Sequence, residues 1–282
     1  MSALPPDPFS TPSQPPPGFV PIEPPVPAGP LPPTESTEGL KPIRWGMGDA
    51  ALGLFLANLL AAVVGGVILA LLGYYELLEV PEGDELRKQV VPVMSLALTA
   101  LLQVPLWTGY LGVPLWAARR KGNGVVRDFG LRMRWFDVPA GVGAGLATQL
   151  ILIPLLYFPF SNLIDLDSLS EPARELIDRA NDPVGVVLLV LIVAVGAPII
   201  EEIFFRGLVL RSIERRFGTV AAVLGSSLLF GAIHLQLLQL PALAMFGLVA
   251  ALLTVKTGRL GPAIWAHVAF NGVATAVLLL GA

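Results

Sequence analysis

The chain has 282 residues, of which 54% are hydrophobic and 14% charged, with a formal net charge of −3 and a mean hydropathy of +0.73. A soluble domain carries roughly 25% charged residues, so this composition argues for lipid rather than water around most of the chain, and nothing in the charge balance suggests nucleic acid. With no cysteine, disulfides, thiolate–zinc sites and cysteine nucleophiles are excluded as well.

Residues 1–44 hold 15 of the 27 prolines. Such a segment cannot bury a core, and it reads as a disordered, proline-rich tail ahead of a membrane domain over 45–282. It has no basic start followed by an apolar stretch, so it does not read as a signal peptide. Apolar stretches then predict seven spans, at about 47–73, 90–118, 138–160, 183–210, 219–236, 239–256 and 261–281. The expected fold is all-α, a polytopic transmembrane bundle of about seven helices. Prolines 154, 159 and 198 fall inside spans, where membrane helices re-satisfy the freed backbone locally. Gly141 and Gly145, like Ala61 and Gly65, have the small-xxx-small spacing of close helix contacts. Residues 171–180 suggest a short surface helix.

Seven spans sort the loops into two sets. The tail, 119–137, 211–218 and 256–260 carry thirteen Lys and Arg, whereas 74–89 and 161–182 carry four. By the positive-inside rule the first set, and with it the N-terminus, is cytoplasmic. The expected location is a bacterial plasma membrane, with the lipid bilayer and a peptide or protein substrate as partners and no nucleic acid.

Ionisable groups within spans cost roughly 2.5–3.5 kcal/mol each on insertion scales and are functional candidates by default. Here they cluster after residue 200: Glu201, Glu202 and Arg206 in the fourth span, His234 at the end of the fifth, and His267 with Asn271 in the seventh. Glu202 and Arg206, spaced i, i+4, share a face and can pair. Glu201 sits about 100° away around the helix and can point elsewhere. His267 and Asn271 also share a face. At about 1.5 Å per residue all of these fall within a hydrocarbon core about 30 Å thick. A carboxylate beside an imidazole can take a proton from water, while a second His and an Asn can donate to a developing oxyanion. Isolated polar residues such as Asn58, Gln103 and Gln149 read as interhelical glue, and Phe230 as packing. A transporter predicts a symmetric pair of interrupted helices, which is not seen. A non-catalytic immunity or scaffold protein would not need Glu201, His234 and His267 together. A serine hydrolase plan lacks its motif, since there is no Gly-x-Ser-x-Gly.

The three motifs Glu201-Glu202-x-x-x-Arg206, Phe230-x-x-x-His234 and His267-x-x-x-Asn271, in this order over 183–281, resemble those of the CPBP family. That family holds the CAAX-type prenyl endopeptidases and bacterial relatives linked to bacteriocin immunity or peptide maturation. The stretch Gly258 to His267 is also typical of bacterial members. The resemblance implies an intramembrane endopeptidase acting on membrane-associated substrates, CAAX-like or peptide precursors. It implies that Glu201 and His234 activate water, that His267 and Asn271 form an oxyanion hole, and that Glu202 and Arg206 support the site. No cofactor is expected. A zinc ion would have to use Glu201, His234 and His267, but no His-Glu-x-x-His occurs and a metal-free site needs no further group.

Overall fold

The computed structural model describes residues 39–73, 95–165, 167–180 and 182–281. The chain divides into two units, Met1–Leu40 and Lys41–Ala282. Most of the proline-rich tail, and the predicted start of the second span at 90–94, lie outside the described residues.

The second unit is built of helices, with no strand among the described residues. They are α1 (Met47–Leu71), α2 (Leu96–Lys121), α3 (Asp137–Phe160), the short α4 (Glu171–Ile177), α5 (Pro183–Phe217), α6 (Thr219–Ala232), α7 (Leu240–Thr257) and α8 (Gly261–Leu279). Six of them, all but α4 and α6, are long and apolar enough to cross a membrane, and the chain is an integral multi-pass membrane protein. The fifth predicted span is shorter than expected. It ends at Ala232 rather than 236, and its 14 residues make about 21 Å of helix, short of a core about 30 Å thick. His234 therefore lies in a turn beyond the helix, where Leu235 has φ +55°, and not inside a helical span. Conversely, α5 runs on to Phe217, seven residues past its predicted end at 210.

Local sequence explains the helix ends. The Asp49 carboxylate accepts the Gly46 amide at the start of α1 (3.0 Å). Ser95 Oγ caps α2 at 3.2 Å and Asp182 Oδ1 caps α5 at 2.7 Å, each satisfying an orphan first-turn amide. Gly258, with φ +68°, stops α7 in the left-handed region. Two of the prolines inside helices follow widened turns. Thr148–Leu152 of α3 is π-helical just before Pro154, and Val190–Gly196 of α5 is π-helical just before Pro198. A proline ring clashes with the carbonyl four residues back and donates nothing, and a wide turn removes both conflicts.

The core lies where α2, α5, α6, α7 and α8 meet, around Tyr110, Phe204, Phe205, Leu208, Phe230, Phe246 and Phe270. Tyr110 stacks on Phe204 (4.6 Å between ring centres). Phe205 meets Phe230 edge-on (5.3 Å). The α3–α8 contact is closer still, because a Cβ on Gly141 would strike the Pro262 carbonyl and one on Gly145 the Ala266 carbonyl. The Gly141/Gly145 spacing thus does what it predicts. Outward-facing Phe55, Val63, Leu155 and Leu224 are exposed, as a lipid-facing wall requires.

Hydrogen bonds tie the basic loops together at one end. Arg215 of α5 donates to the Trp45 and Ile43 carbonyls (2.6 and 3.0 Å), and Trp45 Nε1 donates to Asp128 (2.9 Å). The Arg44 amide reaches the Lys121 carbonyl (2.7 Å) and the Leu260 amide the Gly130 carbonyl (2.8 Å). Arg259 pairs with Asp137 at 2.6 Å. At the opposite end, Tyr157 donates to the Leu238 carbonyl (2.6 Å) and Gln239 to the Leu169 carbonyl (2.6 Å). Segments of the predicted inner set thus meet at one end and Leu169 of the outer set lies at the other, while 74–89 lies outside the described residues.

Candidate active site

Glu201 and Glu202 sit near the middle of α5, at the point where it passes from α-helix into a second π-helical stretch, Ile203–Val209. Such turns recur at functional sites because they re-aim side chains. The two adjacent carboxylates have opposite environments. Glu202 is fully buried, whereas the Glu201 side chain is 16% exposed.

Glu202 Oε1 accepts from Arg206 Nη1 at 2.9 Å and lies 2.9 Å from His267 Nδ1. Arg206, also fully buried, donates through Nη2 to the Gly247 carbonyl of α7 (3.2 Å) and lies over the Phe230 ring at 4.6 Å. One buried ion pair thus fastens α5 to α7 and α8. Phe246, 4.5 Å from His267, and the Gly247 carbonyl are parts of the site that the sequence reading missed. An apolar ring and a backbone oxygen inside a span carry no charge signal that would mark them.

The hydrogen-bond partners fix the ring tautomers. The Phe230 carbonyl, 2.8 Å from His234 Nδ1, can only accept, so Nδ1 carries the proton and Nε2 of the neutral ring is an acceptor. A carboxylate at His267 Nδ1 does the same for that ring. His267 Nε2 then faces Glu201 Oε2 at 3.8 Å, too long for a direct hydrogen bond. Glu201 lies within electrostatic reach of His267, His234, Glu202 and Arg206.

Asn271 is placed differently from its neighbours. Its Nδ2 donates to the Val193 carbonyl of α5 at 2.9 Å. That carbonyl lies in the π-helical turn, where Ala197 N already reaches back five residues to Ile192 O. The next amide in the register belongs to residue 198, a proline with nothing to donate. Asn271 therefore supplies the hydrogen bond that Pro198 withholds, keeping a second amide hydrogen for another acceptor.

The structure thus brings Glu201, Glu202, Arg206 and His267 together, with His234 next to Phe230 (5.0 Å ring to ring) and Asn271 one turn beyond His267 on α8, bonded to the Val193 carbonyl. Among the described residues, no group of three His, Asp or Glu side chains is arranged to hold a metal ion.

Comparison with known proteins converges on the same segment. Residues 183–273 match the model of the family described as Type II CAAX prenyl endopeptidase Rce1-like. A curated protein of Bacillus subtilis (strain 168), "Putative membrane peptidase YdiL", is 28% identical over 149 residues, which is 53% of this chain and 57% of that protein. The chain thus spans little more than half the length of this relative. No solved structure matches. The segment that carries the three motifs and their buried ion pair is thus the one similar to the Rce1-like CAAX prenyl endopeptidase family.

Proposed function

We propose that this protein is an intramembrane endopeptidase that hydrolyses a peptide bond of a membrane-associated substrate with water activated by Glu201 and His234. The observation that carries this reading is the division of labour between adjacent carboxylates. Glu202 is sealed and saturated at Oε1 by Arg206 and His267, while Glu201 is partly exposed and has no direct hydrogen bond tying down its Oε2. A carboxylate left free beside imidazoles is the one able to take a proton from water.

In this account water lies against Glu201 and His234 Nε2, which accepts a hydrogen bond and orients the attack. The proton passes to Glu201 as the water oxygen bonds to the scissile carbonyl carbon. The resulting oxyanion is met by the free amide hydrogen of Asn271 and by His267, which Glu202 holds through Nδ1. Collapse of the tetrahedral intermediate returns the proton to the leaving amine. Glu202 and Arg206 position His267 and touch no substrate. The basic end of the bundle is placed in the cytoplasm by the positive-inside rule. Prenylated CAAX proteins or peptide precursors are the substrate classes to try first.

The test is cleavage of a membrane-anchored peptide by the purified protein in detergent. Glu201→Ala and His234→Ala should each lower turnover by roughly 10²–10⁴-fold with the fold retained. Undiminished turnover in both variants would overturn the reading.

A further inference from the structure

Residues 122–136 connect α2 to α3 at the basic end and form a built surface rather than a loose loop. Phe129 is fully buried, and the Gly130 carbonyl takes the Leu260 amide. Gly130 has φ +70°, and a Cβ there would collide with the Gly258 carbonyl, so only glycine fits. The Gly124 amide reaches back to the Ala118 carbonyl and the Leu131 amide to the Val125 carbonyl. The inward side of the connection is therefore fixed.

Its outward side presents cations and apolar groups together. Val126, Arg127, Met133, Arg134, Trp135 and Phe136 are all exposed, Trp135 at 83%. Both carboxylates of the segment and its junction are already engaged, Asp128 by Trp45 and Asn123 and Asp137 by Arg259. No ion pair engages Arg127 or Arg134 among the described residues, and Arg119 and Arg120, on the last turn of α2, are exposed beside them. Positive charge thus stands near exposed Met133 and Trp135, four and two residues before the start of α3, at the level where a bilayer changes from headgroup to hydrocarbon. Trp rings prefer that boundary, and arginine forks match phosphate oxygens.

We propose that this connection is a docking surface for anionic phospholipid headgroups, with Arg127 and Arg134 binding the phosphate and Trp135 and Met133 seated at the acyl boundary. A rigid loop pays little ordering entropy on binding, which separates this surface from a flexible basic tail. The inference is independent of the peptidase reading.

The experiment uses the full chain in mixed micelles, with bound lipid counted by native mass spectrometry in competition between phosphatidylglycerol and phosphatidylcholine. Wild-type protein should retain phosphatidylglycerol preferentially. Each arginine near an anionic surface contributes roughly a fivefold factor, so Arg127→Gln/Arg134→Gln should lower the preference roughly 25-fold. Trp135→Ala should weaken retention of both lipids. Arg174→Gln, at the opposite end, should change neither. These are surface positions, and an unchanged melting temperature separates lost binding from lost fold. No headgroup preference in the wild type, or a preference that survives the double substitution, would overturn the proposal.

Discussion

Glu202 and Arg206 form a fully buried ion pair, and removing one partner of such a pair typically costs about 3–5 kcal/mol because the other charge is stranded. Arg206→Met is therefore expected to destabilise the protein by about that amount, and Glu202→Gln/Arg206→Met together by less than the sum of the single changes. Thermal or denaturant unfolding in detergent checks both. At this scale the sequence was informative but incomplete. The i, i+4 spacing announces the Glu202–Arg206 pair, the rarity of ionisable groups in apolar segments marks five of the six site residues, and spacing from His267 marks Asn271. Helical spacing also separates Glu201 from Glu202 by about 100°. It does not say that His267 will hydrogen-bond the same oxygen that Arg206 uses, because that contact depends on how α8 crosses α5. Nor could it place Asn271 on the Val193 carbonyl, since the vacancy there arises from a proline five residues further on combined with a π-turn that leaves no compositional trace.

Among the elements, α5 and α8 carry the argument. If Asn271 replaces the donor that Pro198 lacks, then Asn271→Ala should cost about 1–2 kcal/mol in the wild type and much less in a Pro198→Ala background, where the backbone amide returns. A double-mutant cycle reads this directly, and full additivity would contradict it. The α3–α8 crossing gives a second prediction. Gly145→Leu pushes a side chain into the Ala266 carbonyl and should destabilise by about 1–3 kcal/mol or more, displacing α8 with His267, so thermal stability and turnover fall together. The small-residue pattern was legible because period and size alone define it. The end of α6 was not, since Ile233 and His234 continue the apolar run of the helix while the chain turns at a left-handed Leu235.

Over the whole molecule, the segments rich in arginine and lysine meet at one end of the bundle through Arg215, Trp45, Asp128, Gly130 and Arg259. The chain contains no cysteine, so single introduced cysteines report sidedness without background. Residues placed at 123, 218 and 258 should label from the same side of the membrane, and one at 163 from the other. Labelling of 163 together with the first three would contradict the arrangement. The number and order of the apolar segments made this architecture readable from hydropathy and charge, although one helix is shorter than its predicted span. The central claim is that Glu201 reacts and Glu202 positions, and it is tested most directly by measuring peptide cleavage and melting temperature together for Glu201→Gln and Glu202→Gln. The account predicts that Glu201→Gln loses cleavage while its melting temperature stays close to wild type, and that Glu202→Gln lowers the melting temperature. Cleavage retained by Glu201→Gln would contradict it.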